Sequence, residues 1–254
     1  MIDADTFYNY QAPANSLAGK IILVTGAGDG VGRAASLAYA EAGATVILMG
    51  RTQSKLEQVY DAIEAAGYAK PAIVPFNFEG AAEQDYIEIK NVLATEFNQL
   101  DGLLHNAAEL GPCTPLVNYS LSYWHKLMQV NVTAPFILTK TLLPMLQESD
   151  NGSIVFTGSS VSTKGKAYWG AYSASKGALE NLMQVLADEL DGTSNVRTNS
   201  INPGPVRTRM RASVCPAEDP ATVATPESIM NQYLFLMNAD SIGISGQQFN
   251  AQKS

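Results

Sequence analysis

A chain of 254 residues, 46% of them apolar, has the material for one large α/β domain, and no Pro/Ser-rich linker or charge block divides it. Its net charge of −8 argues against a nucleic-acid surface, which needs clustered Lys and Arg, and against docking on anionic membranes. No apolar run approaches the length of a membrane span, and the polar start MIDADTFYNYQAPANS lacks the basic end and apolar centre of a secretory signal. Cys113 and Cys215 stand in no metal-ligand or Cys-x-x-Cys spacing, so a cytoplasmic protein with free thiols is expected.

Residues 1–19 show no sustained periodicity and read as an N-terminal arm, packed on the body or exchanged with a neighbouring subunit; the folded domain is expected over 20–254. Ile21 to Thr25, IILVT, has the β-branched content of a buried parallel strand. It runs straight into Gly26-Ala27-Gly28-Asp29-Gly30-Val31-Gly32 and an apolar helix reaching residue 42. Strand, Gly-rich turn and helix make the first unit of a dinucleotide fold. Glycine permits positive φ and close backbone approach, so a pyrophosphate can meet the helix N-terminus, where free N–H groups and the helix dipole favour anions.

The second strand, 44–49, ends at Gly50-Arg51, where an NAD-selective site would present an acidic side chain to the adenosine ribose. Gly50 removes the carboxylate that would repel a 2′-phosphate, and Arg51 supplies a guanidinium to bind one. NADP(H) is therefore preferred over NAD(H), the alternative being that Arg51 is a solvated residue opening the helix over 52–66. Arg33 could assist the cofactor or simply lie on a helix surface. A strand over 72–76 leads to Asn77, and a helix over 83–98 returns the chain to a strand over 102–105. That helix carries Tyr86 and Lys90, a Tyr-x-x-x-Lys pair in a polar segment that reads as a solvated face. His105 reads as a core histidine with a satisfied ring. The long helical segment over 120–145 places Asn131 on an apolar face, where an unpaired amide would cost about 1 to 3 kcal/mol, so a partner is required.

Residues 153–176, SIVFTGSSVSTKGKAYWGAYSASK, join a short apolar strand to a helix rich in small residues. Ser159 falls at the strand's C-terminal end, the edge where open α/β sheets bind ligands. Tyr172 and Lys176, one helical turn apart, share a face. A phenol of pKa ~10 exchanges protons poorly at neutral pH. An ammonium at ~5 Å in an effective dielectric of ~20 would stabilise the phenolate by roughly 3 kcal/mol and lower that pKa. Beyond lie a helix over 178–190, a strand over 196–201 and Asn202-Pro203-Gly204-Pro205-Val206-Arg207-Thr208, a stiff turn at a strand end. Residues 207–228 are expected as a lid, with Arg207, Arg209 and Arg211 either attracting an anionic substrate or lying on a solvated or subunit-contact face. Thr225-Pro226-Glu227 reads as a cap for a helix over 228–237, and 246–250 as the last strand. The fold class is a single-domain, Rossmann-type doubly wound parallel sheet of about seven strands.

Ser159, Tyr172 and Lys176, with the T-G-x-x-x-G-x-G turn, His105-Asn106-Ala107-Ala108, Asn131 and the Pro203-Gly204 turn, resemble the short-chain dehydrogenase/reductase family from residue 20 to 250. Trp169-Gly170-Ala171-Tyr172 and Met210-Arg211-Ala212-Ser213 look like its YciK-like bacterial oxidoreductases. The resemblance implies hydride transfer between a nicotinamide and a carbonyl or alcohol carbon of a small molecule. Tyr172 is the implied acid/base and Ser159 the holder of the oxygen. Lys176 lowers the Tyr172 pKa and binds the nicotinamide ribose, and Asn131 holds a water that links Lys176 to solvent. It further implies cofactor contacts at Gly26, Gly30, Val31, Gly32, Asn77, Asn106, Pro203, Gly204, Val206 and Thr208, and a homodimer or homotetramer. His105 and Ala108 depart from the family's Asn-Asn-Ala-Gly, as Asn77 does from its usual Asp. The rival reading is a cofactor-binding sensor or scaffold with little turnover. An epimerase or dehydratase on a related fold is a third, for whose larger C-terminal domain the chain has no room.

Overall fold

The computed structural model describes residues 2–253. Seven strands, β1 (Ile21–Thr25), β2 (Thr45–Gly50), β3 (Ala72–Pro75), β4 (Gly102–His105), β5 (Ser153–Thr157), β6 (Arg197–Asn202) and β7 (Gln248–Asn250), form one parallel sheet in the order β3-β2-β1-β4-β5-β6-β7. This is the doubly wound sheet expected from the sequence. β1 pairs with β2 from Ile21 opposite Thr45 to Thr25 opposite Met49, and on its other side with β4, Ile22 opposite Gly102. The strand order reverses between β1 and β4, and in an open α/β sheet that reversal leaves a crevice above the C-terminal strand ends.

Alternation along the strands feeds two cores. Ile22, Val24, Val46 and Leu48 point to one face, where α2 (Gly30–Glu41), α3 (Gln53–Ala65) and α9 (Met230–Met237) cover them. Leu23, Ile47, Met49 and Leu103 point to the other, under α4 (Glu83–Glu96), α6 (Ala134–Gln147) and α7 (Gly170–Leu190). These side chains are fully buried, each contributing roughly 1.5 to 3 kcal/mol of transfer free energy. The remaining helices are α1 (Ala4–Tyr8), α5 (Leu121–Met128) and α8 (Arg209–Val214).

The arm packs on this chain's own body, one of the two placements expected for it, and contains α1, too short to show a periodicity: Phe7 is buried against Phe235 and Phe249, and the Tyr10 hydroxyl donates to Asp240 at 2.6 Å. Three expectations are corrected. Tyr86 is not on a solvated face; its ring is fully buried 5.0 Å from that of Phe76. The helix over 120–145 is interrupted by a π turn, Gln129–Thr133, which separates α5 from α6. The helix over 228–237 begins as a 3-10 turn, Glu227–Ile229, before α9.

At the opposite end of the sheet, Arg197 is buried and donates to the carbonyls of Asn151, Gly152, Met237 and Asn238, the last at 2.6 Å. Burial lowers its pKa to about 10. The guanidinium ties the start of β6 to the end of α9.

Candidate active site

The site grows from the end of β5. After Thr157 the chain turns through Gly158 to Ser159, and α7 returns from its first turn to place Tyr172 and Lys176 beneath the same cavity. Tyr172 keeps 8% of its surface and Lys176 2%, so each reaches the cavity only by its working edge. The Lys176 ammonium donates to the Thr157 carbonyl at 2.8 Å and lies 5.8 Å from the centre of the Tyr172 ring. Burial lowers its pKa to about 8, and Glu180, one turn further along α7, pulls it back up.

The expected lowering of the Tyr172 pKa by Lys176 is not found. Burial pushes the phenol up to about 12, and the opposing pull comes from Ser159. The physical reason is placement: the ammonium faces the ring and is bonded to a carbonyl. Burial thus favours the neutral form of Tyr172.

Asn131 has the partners its burial demands. Its Oδ1 accepts from the Glu109 N–H, and its Nδ2 donates to the Glu109 carbonyl, both at 2.8 Å, and to the Ser175 hydroxyl at 3.0 Å. It therefore clasps the loop after β4 to α7, from within the π turn. His105, buried, shares a 2.8 Å hydrogen bond with Thr139 and stacks on Phe156. Burial, with the nearby Lys176 charge, lowers its pKa to about 3, so it is a neutral core residue as its position suggested.

The cavity, of about 490 Å³, extends from Tyr172 across the end of β1 to Arg51 and Asn77. It brings together Ser159, Tyr172, Lys176, Gly26, Gly30, Val31, Arg51, Asn77, Asn106, Pro203, Gly204, Val206 and Thr208; Gly32 lies just behind, and Asn131 supports it from below. Gly26 has φ 68°, and a Cβ on Gly32 would sit 2.2 Å from the Gly26 carbonyl, so strand end and helix start touch only because both are glycine. Asn106 braces this turn, its backbone N–H on the Thr25 hydroxyl at 2.9 Å and its Nδ2 on the Thr25 carbonyl. The residues fit a dinucleotide: a glycine turn at the start of α2 with Arg51 and Lys55 beside it, and a continuous channel from there to Tyr172.

Several polar groups here were not legible from the sequence. Asp29 caps Gly30 and accepts from Lys55 at 3.0 Å and from Arg209 of α8, joining the lid to the glycine turn. Glu109 meets Arg51 at 3.1 Å. Glu180 is buried, with its carboxylate on the Ser200 hydroxyl and close under Gly158. Gln252 donates to the carbonyls of Pro203 and Pro205 at 2.7 and 2.8 Å, bracing the Pro-Gly turn from the C-terminal segment. Thr208 caps α8 by accepting from the Arg211 N–H, and the Asn77 Oδ1 accepts from the Glu79 N–H. The three arginines at the start of 207–228 all bond within the chain: Arg207 donates to the Val223 carbonyl, Arg209 pairs with Asp29, and Arg211 grips Glu218 through two hydrogen bonds. Among the described residues no group of three or more metal-ligating side chains is found, and no helix is long and apolar enough to cross a membrane.

The short chain dehydrogenase family profile matches residues 20–219. The chain is 47% identical to the oxidoreductase YciK of Escherichia coli K12 over 96% of each protein. It is also similar to a solved short chain dehydrogenase from Pseudomonas syringae, at 51% identity, TM-score 0.95 and coverage of 96% of this chain and 99% of the other. A Shigella flexneri short chain dehydrogenase solved in complex with NADP gives 46% identity and TM-score 0.93, covering 95% of this chain and 100% of the other. With a parallel sheet, glycine turn and Tyr172–Lys176 pair set as described, the chain belongs to the short-chain dehydrogenase family and is a YciK-like oxidoreductase.

Proposed function

We propose that this oxidoreductase is NADP(H)-dependent and interconverts a carbonyl and an alcohol on a small molecule, with Ser159, Tyr172, Lys176 and Asn131 as its working set. The observation that carries this reading is the convergence of a neutral phenol, a buried ammonium and the Ser159 hydroxyl at one end of a channel whose other end is the glycine turn beside Arg51 and Lys55. A bound nicotinamide supplies or accepts the hydride. Ser159 donates a hydrogen bond to the substrate oxygen and fixes it beside the Tyr172 hydroxyl, orienting the carbonyl and polarising it for addition at carbon. Tyr172 gives its proton to that oxygen in reduction and takes one back in oxidation. Lys176, held on the Thr157 carbonyl, supplies positive charge beneath the phenol as the proton leaves and contacts the nicotinamide ribose. Both N–H groups of Asn131 are engaged, so a water link from Asn131 to Lys176 runs through an oxygen of this residue.

At the far end Gly26, Gly30, Val31 and Gly32 would cradle the pyrophosphate, Asn77 and Asn106 would hold the adenosine, and Pro203, Gly204, Val206 and Thr208 would hold the nicotinamide. Arg51 would hold the 2′-phosphate: its bond to Glu109 is solvent-exposed, an interaction worth about 1 kcal/mol or less, which a dianionic phosphate can displace. The NADP complex of the Shigella relative supports this choice.

Fluorescence titration with NADPH and NADH, followed by NADPH oxidation across ketones, aldehydes, diketones and quinones, tests the reading. Preferential NADPH binding is expected, and Arg51→Ala should weaken it about tenfold or more while leaving NADH nearly unaffected, the scale of one charge-assisted hydrogen bond. Preference for NADH would overturn the role of Arg51. Tight NADPH binding with no turnover across the panel would favour a cofactor sensor.

A further inference from the structure

Six cationic side chains line the cavity: Arg51, Lys55, Lys166, Lys176, Arg209 and Arg211. Arg51 is paired with Glu109, Lys55 and Arg209 share Asp29, and Arg211 grips Glu218, while Lys176 is sunk into the floor on the Thr157 carbonyl. Lys166 differs from them all. Among the described residues no carboxylate lies within ion-pair distance of it. The carboxylates that line the cavity, Asp29, Glu79 and Glu109, are each already bonded to cations.

This free ammonium is exposed. It stands over the Trp169 ring, 5.9 Å from its centre, and that ring lies 5.8 Å from the Tyr172 ring, so one indole separates the ammonium from the catalytic phenol. The turn carrying them is specified by the backbone: the Trp169 N–H donates to the Lys166 carbonyl at 3.1 Å, and the Thr114 N–H to the Tyr168 carbonyl at 3.2 Å. Between them Tyr168 has φ 74°, a left-handed conformation costing a non-glycine residue about 1 to 3 kcal/mol, and it turns the next residue, Trp169, toward the cavity. Leu110 and Val161 share an apolar cluster with that ring, and Met210 and Val214 add apolar lining to the same cavity.

We propose that the substrate is an apolar carbonyl compound carrying a carboxylate, its body lying along Trp169 between Leu110, Val161, Met210 and Val214 and its carboxylate paired with Lys166. The assignment rests on the carbonyl-reduction reading above. In that reaction the carbonyl carbon gains a hydride from the reduced nicotinamide and the oxygen gains the Tyr172 proton, giving the alcohol and oxidised cofactor. The carboxylate takes no part and acts as a handle. Because the Lys166 ammonium is exposed and has no carboxylate partner, an anionic end can pair with it without displacing an existing ion pair, which completes the set around the cavity.

The test uses two probes of matched ring and carbonyl, 4-carboxybenzaldehyde and its neutral methyl ester, with NADPH. For the intact enzyme at low salt, kcat/KM should favour the acid by about fivefold, expressed in KM, the scale of one partly exposed ion pair, and the advantage should fade in high salt. Lys166→Gln should erase the difference by raising KM for the acid. Equal kcat/KM for the two probes, or a preference that survives Lys166→Gln, overturns the Lys166 subsite and leaves carbonyl reduction standing. If neither probe is reduced, calorimetric binding to the enzyme–NADP⁺ complex decides. Binding of the acid that depends on Lys166 supports the subsite and counts against reduction as the reaction; absent or Lys166-independent binding overturns the subsite.

Discussion

The chain carries the Tyr-x-x-x-Lys spacing twice, at Tyr86–Lys90 on α4 and at Tyr172–Lys176 on α7, and the two copies have much in common. Both tyrosines are buried, and burial raises both phenols to about 12. They part company in what lies beside the hydroxyl. Tyr86 packs between Phe76 and the sheet, and its oxygen is buried without a hydrogen-bond partner. Tyr172 opens on a cavity with Ser159 beside it, and its lysine is buried and fixed on a carbonyl, whereas Lys90 lies partly exposed. Spacing makes two residues neighbours; a cavity and a fixed charge make them candidates for proton transfer.

The sharpest test of this contrast is to remove each phenol oxygen in turn. Tyr172→Phe should lower kcat by ~10³-fold, within the usual range for a general acid, with NADPH binding by fluorescence titration retained. Retained turnover would remove Tyr172 from the mechanism and make the two copies equivalent.

An intermediate effect is expected from the charge beneath the second copy. Lys176 is cationic below its pKa of about 8, which burial lowers and Glu180 holds up. If catalysis needs the ammonium, kcat/KM falls as pH rises through that value. Glu180→Gln deletes the supporting negative charge, so the alkaline limb should move to lower pH by on the order of half a unit to one unit. Glu180 acts here as a positioning residue, and a limb that stays in place would mean its carboxylate is protonated or that Lys176 does not set the limb.

The smallest effect belongs to the first copy. Tyr86→Phe removes a buried hydroxyl that has no partner, so denaturant unfolding should show stability unchanged or raised by up to about 1 kcal/mol, with kcat unaffected. A loss of more than that would reveal a bond from this oxygen that the structure does not contain.

Much of the fold was legible because its determinants are local. Short apolar runs such as β1 and β2, a glycine turn at the end of β1 and Pro203-Gly204 at the end of β6 each act through their own backbone, so the parallel-sheet class and the general place of the site follow from the sequence. Ser159, Tyr172 and Lys176 were legible for the same reason, lying within one strand–loop–helix unit. Tyr86 misled because a polar segment says little about a single aromatic position: one side chain of α4 faces the sheet while its neighbours face water. The arm was unreadable since Phe7 becomes a core residue only when Phe235 and Phe249 stand opposite it.

What the sequence by itself determined, then, is the parallel Rossmann framework and the chemical identity of the groups at its strand ends, since these depend on short-range propensity and spacing. Tertiary structure alone decided which charges are spent and which are free. Asp29 with Arg209, Glu109 with Arg51, and the Asn131 clasp on Glu109 join residues far apart in the chain, and no local pattern records their pairing. The same holds for the Tyr172 acidity, which burial sets against the expectation drawn from Lys176, because desolvation is a property of the packed surroundings rather than of a four-residue interval.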